Sequence, residues 1–195
     1  MIYIIIGLAF FIGGLPFGYL VGKYIYKVDI RQIGSGNIGA INVIRSLGIR
    51  WGILVLFLDL FKSYLALTLF KEQLVKDHYL FLFSLLLVLG HDYSPFLNFK
   101  GGKGVATSMG IYLALYPVAL FWAVPIYLLL LLVSGFPSVA SLISLLSIPL
   151  IVYLYKSPTY LVILSIILFL IALLRHKENI VRLLEGRESR IFKRK

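Results

Sequence analysis

The sequence predicts an all-α polytopic membrane protein of seven transmembrane helices, and three observations carry that prediction. Hydrophobic residues fill 61% of the 195 positions and charged residues 14%. That is more apolar surface than a soluble domain of this length can bury, so lipid must cover the remainder. Uncharged runs reach past the ~20 residues that cross a bilayer core as a helix; residues 104–155 pass without one charge. Lys and Arg crowd into two segments, Lys23–Arg50 and the tail after Leu174, which the positive-inside rule makes cytoplasmic.

Taken in order, spans are expected at Ile2–Gly22, Trp51–Phe70, His78–Leu97 and Thr159–Leu174. The first apolar run lacks a basic n-region and an A-x-A-like site, so it reads as a span rather than a cleaved signal peptide. The long uncharged stretch has breakers at Tyr116-Pro117 and at Ser134-Gly135-Phe136-Pro137-Ser138. An even number of spans must separate the two basic segments. Splitting at both breakers gives six between them and seven in all; splitting once gives five and puts the tail outside. The N-terminus is then outside and the C-terminus cytoplasmic. The cytoplasmic segments are 23–50, the neighbourhood of 91–103, a turn at 134–138 and 175–195. The fourth span, about Gly104–Tyr116, reaches only about 20 Å at 1.5 Å per residue, short of a ~30 Å core. The loop 91–103 before it is therefore expected to dip into the membrane, where irregular backbone survives only if buried in protein or lining a wet cavity.

Residues 1–195 are expected to form a single integral-membrane domain, as a monomer. The absence of cysteine excludes disulfides and cysteine–metal sites. No His/Asp/Glu grouping has metal-ligand spacing, so neither metal nor cofactor is expected. A net charge of +11 would suggest nucleic acid in a soluble protein; here it points to anionic lipid or a phosphorylated substrate.

Three segments on the cytoplasmic face carry the chemistry. The first, Gly34 to Arg45, matches G-x-G-x-x-G with Asp59 twenty residues beyond Gly39. No strand precedes it and Asp59 lies within an apolar span, so a dinucleotide fold is excluded. What remains is physical. Gly34, Gly36 and Gly39 expose backbone N–H groups, Ser35, Asn37 and Asn42 add donors, and Arg45 can fork onto an oxyanion. The second segment runs from Gly90-His91 to Lys100-Gly101-Gly102-Lys103-Gly104-Val105-Ala106-Thr107. It resembles a P-loop without the required spacing, yet it puts Lys103 and free amides just before a helix N-terminus, a ready anion site. His91 is either a proton donor or a hydrogen-bonding support, and Lys100 either snorkels to the interface or meets substrate. The third, Arg175 to Glu188, opens as an amphipathic turn on the membrane. It places His176 and Asn179 at i, i+3 on one face. Arg190 to Lys195 read as a frayed basic tail that favours anionic lipid.

Two isolated features complete the pattern. Asp59 and Lys62, at i, i+3 inside the second span, are either an ion pair facing the bundle or a functional pair. Ser138, Ser141 and Ser144 repeat on the sixth helix; such serines join helices, and Ser141 is placed to donate to a ligand.

With these segments in this order, the chain closely resembles the bacterial acyl-phosphate:glycerol-3-phosphate acyltransferases, the PlsY type. The resemblance rests on G-S-G-N-x-G-A-x-N-x-x-R at 34–45, on G-H with F-K-G-G-K-G-V-A-T ending at Thr107, and on R-H-x-x-N-I-x-R-L-L-x-G at 175–186. It departs at Ile41, where the family usually has Thr. It implies a seven-helix fold in the bacterial cytoplasmic membrane with its active site facing the cytoplasm. It also implies transfer of a fatty acyl group from acyl phosphate to the 1-hydroxyl of glycerol 3-phosphate, giving lysophosphatidic acid and inorganic phosphate. Carried over by position, Lys103, Arg45, His176 and Asn179 take catalytic roles. Ser35, Gly36, Asn37, Asn42, Gly101, Gly102, Gly104, Ser141 and His91 take substrate-binding roles.

These residue types suit such a reaction. Acyl phosphate is already activated, so holding two phosphorylated molecules together and stabilising charge supply most of the catalysis. The H-x-x-x-x-D pair of other glycerolipid acyltransferases is absent, as are a G-x-S-x-G elbow and cysteine, which argues against an acyl-enzyme. The rival reading is a small transporter of phosphate or an organic phosphate. Against it, all three polar segments share one face and no inverted repeat is visible.

Overall fold

In hydrocarbon every backbone N–H and C=O must be satisfied within its own segment, which leaves the helix as the form for apolar runs like these. A computed structural model describes residues 1–191. Among them the regular structure is α1 (Ile2–Gly14), α2 (Phe17–Ile25), α3 (Ala40–Leu47), α4 (Ile49–Phe70), α5 (Asp77–Asp92), α6 (Val105–Leu115), α7 (Pro117–Ser134), α8 (Pro137–Leu154), α9 (Thr159–Arg175) and α10 (Lys177–Leu184). Short 3₁₀ turns lie at Ile30–Gln32 and Pro95–Leu97.

Among the described residues four helices have the length and apolarity of a membrane span: α4, α5 continued through Leu97, α7 and α8. Two bent pairs, α1 with α2 at 43° and α9 with α10 at 57°, pass the same test when each is taken as one. The expected first span is thus no straight rod. Pro16 lacks an N–H and interrupts the ladder between Gly14 and Phe17. Helix α6 has 11 residues, about 16 Å, shorter still than expected. The expected loop 23–50 contains α3, an amphipathic helix that the glycine pattern concealed.

The chain packs as two compact units, Met1–Leu115 and Tyr116 onward. In the first, α4 is the spine on which α1, α2, α3, α5 and α6 all pack. Glycines set the spacing. A side chain on Gly110 would run into the Leu60 carbonyl of α4, and one on Gly90 into the Phe10 carbonyl of α1. Such small residues are how helices associate where lipid removes the hydrophobic drive. Ser63 Oγ donates across the α4–α6 contact to the Thr107 carbonyl at 2.8 Å. The Pro16 break leaves carbonyls at the end of α1 that need new donors. Ser94 Oγ reaches Gly14 O at 2.6 Å and Lys62 Nζ reaches Leu15 O at 3.0 Å.

In the second unit α8 packs against both α7 and α9. Ser144 Oγ donates to the Ala123 carbonyl at 2.8 Å, and Trp122 Nε1 to Tyr155 OH at 3.0 Å. Ser144 is therefore helix glue, the role that the sequence reading gives such serines.

Replacing Gly110 with Val should destabilise the first unit by about 1–3 kcal/mol through forced separation of α4 and α6. Ser63→Ala should cost only about 0.6 kcal/mol, the usual size of one interhelical hydrogen bond. Thermal unfolding of both purified variants in detergent ranks them.

Candidate active site

The first segment is an organised loop. Asp29 caps the turn at Ile30–Gln32, accepting from Arg31 N at 3.0 Å, and its carboxylate meets the Arg31 guanidinium at 2.6 Å. The hydrogen bonds from Arg31 hold the Asp29 carboxyl below its usual range. Gly34 and Gly36 turn with φ of +61° and +70°, where other residues would be strained. Asn42 sits at the centre, only 2% exposed. Its Oδ1 accepts from Ser35 N at 2.8 Å, and its Nδ2 lies within 3.1 Å of the Ile30, Ile33 and Asn37 carbonyls. Asn42 is thus the organiser of the loop, its whole amide spent internally. Asn37 Oδ1 accepts from Gly39 N at 2.8 Å, a turn that launches α3. Ser35 and Arg45 are exposed, Arg45 projecting from α3.

The second segment is folded onto the end of α5. His91 and Asp92 are buried, and Gly102 N donates to the His91 carbonyl at 2.9 Å. Gly101 lies against the His91 and Asp92 backbone, and Gly102 against the edge of the His91 ring that carries Nε2. Neither position has room for a side chain. Gly104, at φ +70°, releases the chain into α6, where Ser108 N takes the Gly104 carbonyl at 2.7 Å. Lys103 is half-buried in the middle of this turn and Lys100 is exposed. Behind the loop, Asp59 and Lys62 do form a buried ion pair at 2.7 Å. Lys62 Nζ is also 3.0 Å from His91 Nδ1.

In the second unit, His176 and Asn179 are both buried, at 4% and 7% exposure. His176 Nδ1 is 2.7 Å from the Ala172 carbonyl. A carbonyl only accepts, so Nδ1 carries the proton. Ser141 is buried on the first turns of α8.

One residue with no role from sequence emerges here. Glu188 Oε1 accepts from Asn179 Nδ2 at 2.7 Å and Ser138 Oγ at 3.0 Å, and Oε2 accepts from Arg182 Nε at 2.9 Å. Ile191 N then donates to Gly135 O at 2.9 Å, and Arg190 lies over Phe136 with its guanidinium carbon 5.0 Å from the ring centroid. The expectation of a frayed tail from Arg190 is therefore corrected for Arg190 and Ile191, which fold back on the α7–α8 turn. The rest of that segment lies outside the described residues. The available signal was a glutamate just after a helix-ending glycine in an otherwise basic stretch.

Burial works to raise the Glu188 carboxyl, but the hydrogen bonds from Asn179, Arg182 and Ser138 outweigh it and hold it low. Among the described residues no three His, Cys, Asp or Glu side chains gather as a metal site. The loops of the first unit carry a lysine and an arginine on short glycine-bounded elements, and the second unit carries buried hydrogen-bonding side chains. That chemistry suits phosphate.

A membrane-embedded helical protein with glycine-shaped basic loops is the class so defined. The profile of the family described as glycerol-3-phosphate acyltransferase matches residues 3–186, and the chain belongs to that family. The glycerol-3-phosphate acyltransferase of Thermosipho melanesiensis is 39% identical over 94% of this chain and 89% of its own. That of Desulforudis audaxviator is 40% identical over 100% and 98%. The crystal structure of PlsY (YgiH), an integral membrane glycerol 3-phosphate acyltransferase in its glycerol 3-phosphate form, superposes with a TM-score of 0.92. It has 35% identity, over 98% of this chain and 96% of that one. A second crystal structure of PlsY, in its lysophosphatidic acid form, gives 0.88 at 34% identity, over 97% and 94%.

Glu188→Ala should leave Arg182 and Asn179 without their acceptor and destabilise the second unit by about 3 kcal/mol. The carboxyl is held low in the folded state, so its contribution is complete at neutral pH. It is lost as the pH falls from about 4.3, the ordinary glutamate value, through the lower folded one. Thermal unfolding at pH 7 should separate wild type from Glu188→Ala, and the gap should narrow toward pH 3.

Proposed function

We propose that the chain transfers a fatty acyl group from acyl phosphate to the 1-hydroxyl of glycerol 3-phosphate, releasing lysophosphatidic acid and inorganic phosphate. The observation that carries this reading is the Gly101–Gly104 turn. It is a half-buried lysine between tightly packed glycines, directly before a helix N-terminus, in a member of a glycerol-3-phosphate acyltransferase family. The relatives crystallised with glycerol 3-phosphate and lysophosphatidic acid support the acceptor and the product.

The acyl carbon of acyl phosphate is bonded to a good leaving group. The glycerol 3-phosphate hydroxyl oxygen attacks that carbon, the carbon–oxygen bond to phosphate breaks, and the departing phosphate takes the hydroxyl proton. No enzyme nucleophile is needed, and no acyl-enzyme forms. Lys103 and Arg45 neutralise the phosphates, with the Ser35 hydroxyl as a donor. Gly36, Gly101, Gly102 and Gly104 shape the turns that present them, since Ser35 N, Gly36 N and Gly102 N are held by Asn42 Oδ1, the Ile33 carbonyl and the His91 carbonyl. His176, Asn179 and Ser141 are the further polar groups assigned to the substrates. Asn37 and Asn42 shape the loop that presents Ser35, and His91 supports the Gly102 turn. No metal takes part.

The topology is seven spans across the bacterial cytoplasmic membrane, with α1–α2 and α9–α10 each counted once and α6 as the short one. The N-terminus is outside, the active site faces the cytoplasm, and the whole chain acts as one domain and as a monomer. Lys62 lies thirteen residues into α4, about 20 Å along its axis, which supports a loop 91–103 that reaches well below the surface.

Purified protein in lipid, given acyl phosphate and radiolabelled glycerol 3-phosphate, should form lysophosphatidic acid, and acyl-CoA should not replace the donor. Uptake into sealed vesicles without product would instead reveal a transporter. Lys103→Ala and Arg45→Ala should each lower kcat/KM by about 10²–10³-fold. EDTA should leave the rate unchanged, and a trapped acyl-enzyme would defeat the direct mechanism.

A further inference from the structure

An ammonium group has three protons, and around Lys62 Nζ stand three acceptors. They are Asp59 Oδ1 at 2.7 Å, the Leu15 carbonyl at 3.0 Å and His91 Nδ1 at 3.0 Å. Lys62 and Asp59 are 3% exposed in their side chains and His91 is 4%, so water does not compete for these positions. With Lys62 charged, Nδ1 of His91 must offer its lone pair, because a proton there would point at an ammonium proton. Asp59 Oδ1 is farther from Nδ1, at 3.5 Å, at the limit of a hydrogen bond. A charged imidazole would bring a second cation against the ammonium in a buried place. The ring is thus neutral, with its proton on Nε2.

That assignment reaches the Gly101–Gly104 loop. The Nε2 edge of the ring is the surface against which Gly102 is pressed, and the His91 carbonyl holds Gly102 N at 2.9 Å. Ring and backbone of one histidine therefore both shape the turn that carries Lys103. We propose that Lys62 is a positioning residue for the transfer reaction: anchored by Asp59 and Leu15, it donates to His91 Nδ1 and fixes the Nε2–H form of the ring on which the loop is folded. His91 is then no proton carrier, since Nδ1 is permanently engaged. The kinetic part rests on the reading of this loop as a phosphate site.

The test uses full-length protein labelled with ¹⁵N-histidine in lipid. Three histidines are present, so His78→Gln and His176→Gln assign the His91 signals. Wild type at neutral pH should show His91 neutral, with a bare Nδ1 and a protonated Nε2. An Nδ1–H or doubly protonated ring overturns the proposal. Lys62→Met should release the ring into a mixture of tautomers and raise KM for glycerol 3-phosphate about 10-fold, the low end for an outer-shell partner, with a smaller change in kcat. Lys62→Arg keeps a donor and should restore the tautomer and much of the KM. Unaltered tautomer and KM in Lys62→Met overturn the role of Lys62. If Lys62→Met does not fold, the wild-type spectrum and Lys62→Arg still decide it. Unchanged kinetics in Lys103→Ala would instead remove the phosphate reading of the loop, whatever His91 shows.

Discussion

The Lys62 ammonium, buried with a full set of acceptors, ties three elements of the first unit at one point. Asp59 comes from its own helix, Leu15 from the break between α1 and α2, and His91 from the end of α5. A charge in this position is costly unless every proton is matched. Because it is matched, the cluster pins the bend at Pro16, the end of α5 and the start of the glycine loop in register. Ser94 does the same for the neighbouring carbonyl, Gly14 O. The polar groups that the irregular backbone exposes are thus met by side chains of the same unit, the condition for such backbone at membrane depth.

Close approach of helices supplies the rest of the order. Gly90 against Phe10 and Gly110 against Leu60 bring backbones together where bulkier residues would hold them apart. The spine α4 thereby carries α3, with Arg45, at one part of its length and α6, with the Lys103 turn, at another. Membership of a glycerol-3-phosphate acyltransferase family gives these loops their functional setting, but their shape follows from glycine packing and from Asn42 and His91 within this chain.

Much of this was legible in the sequence, for a physical reason. Long apolar runs and clustered lysine and arginine report the bilayer directly, so α4, α5 and the breaks at Pro117 and Pro137 fall where composition put them. The short α6 also followed from residue count alone. The motif order carried the family. What the sequence hid were roles decided by three-dimensional neighbours. Asn42 looks like a ligand donor in a glycine loop, yet its amide is consumed by Ser35, Ile30, Ile33 and Asn37. Glu188 looks like one more tail charge, yet it gathers Ser138, Asn179 and Arg182. Helix α3 was masked because three glycines before it read as loop, while its own apolar face becomes evident only against Gly52 of α4. Pro16 could have flagged the bend in the first span, but a 43° kink leaves hydropathy unchanged.

The spacing of Asp59 and Lys62 within one helix has a further meaning for biosynthesis. Leu15, 47 residues earlier, has already emerged when Lys62 is made, whereas His91 follows 29 residues later. A lone lysine would enter the translocation machinery as a bare cation. Here the counter-ion travels on the same turn of the same segment, so the pair adds no net charge to the part of α4 that enters lipid, and Arg50 stays at the helix end.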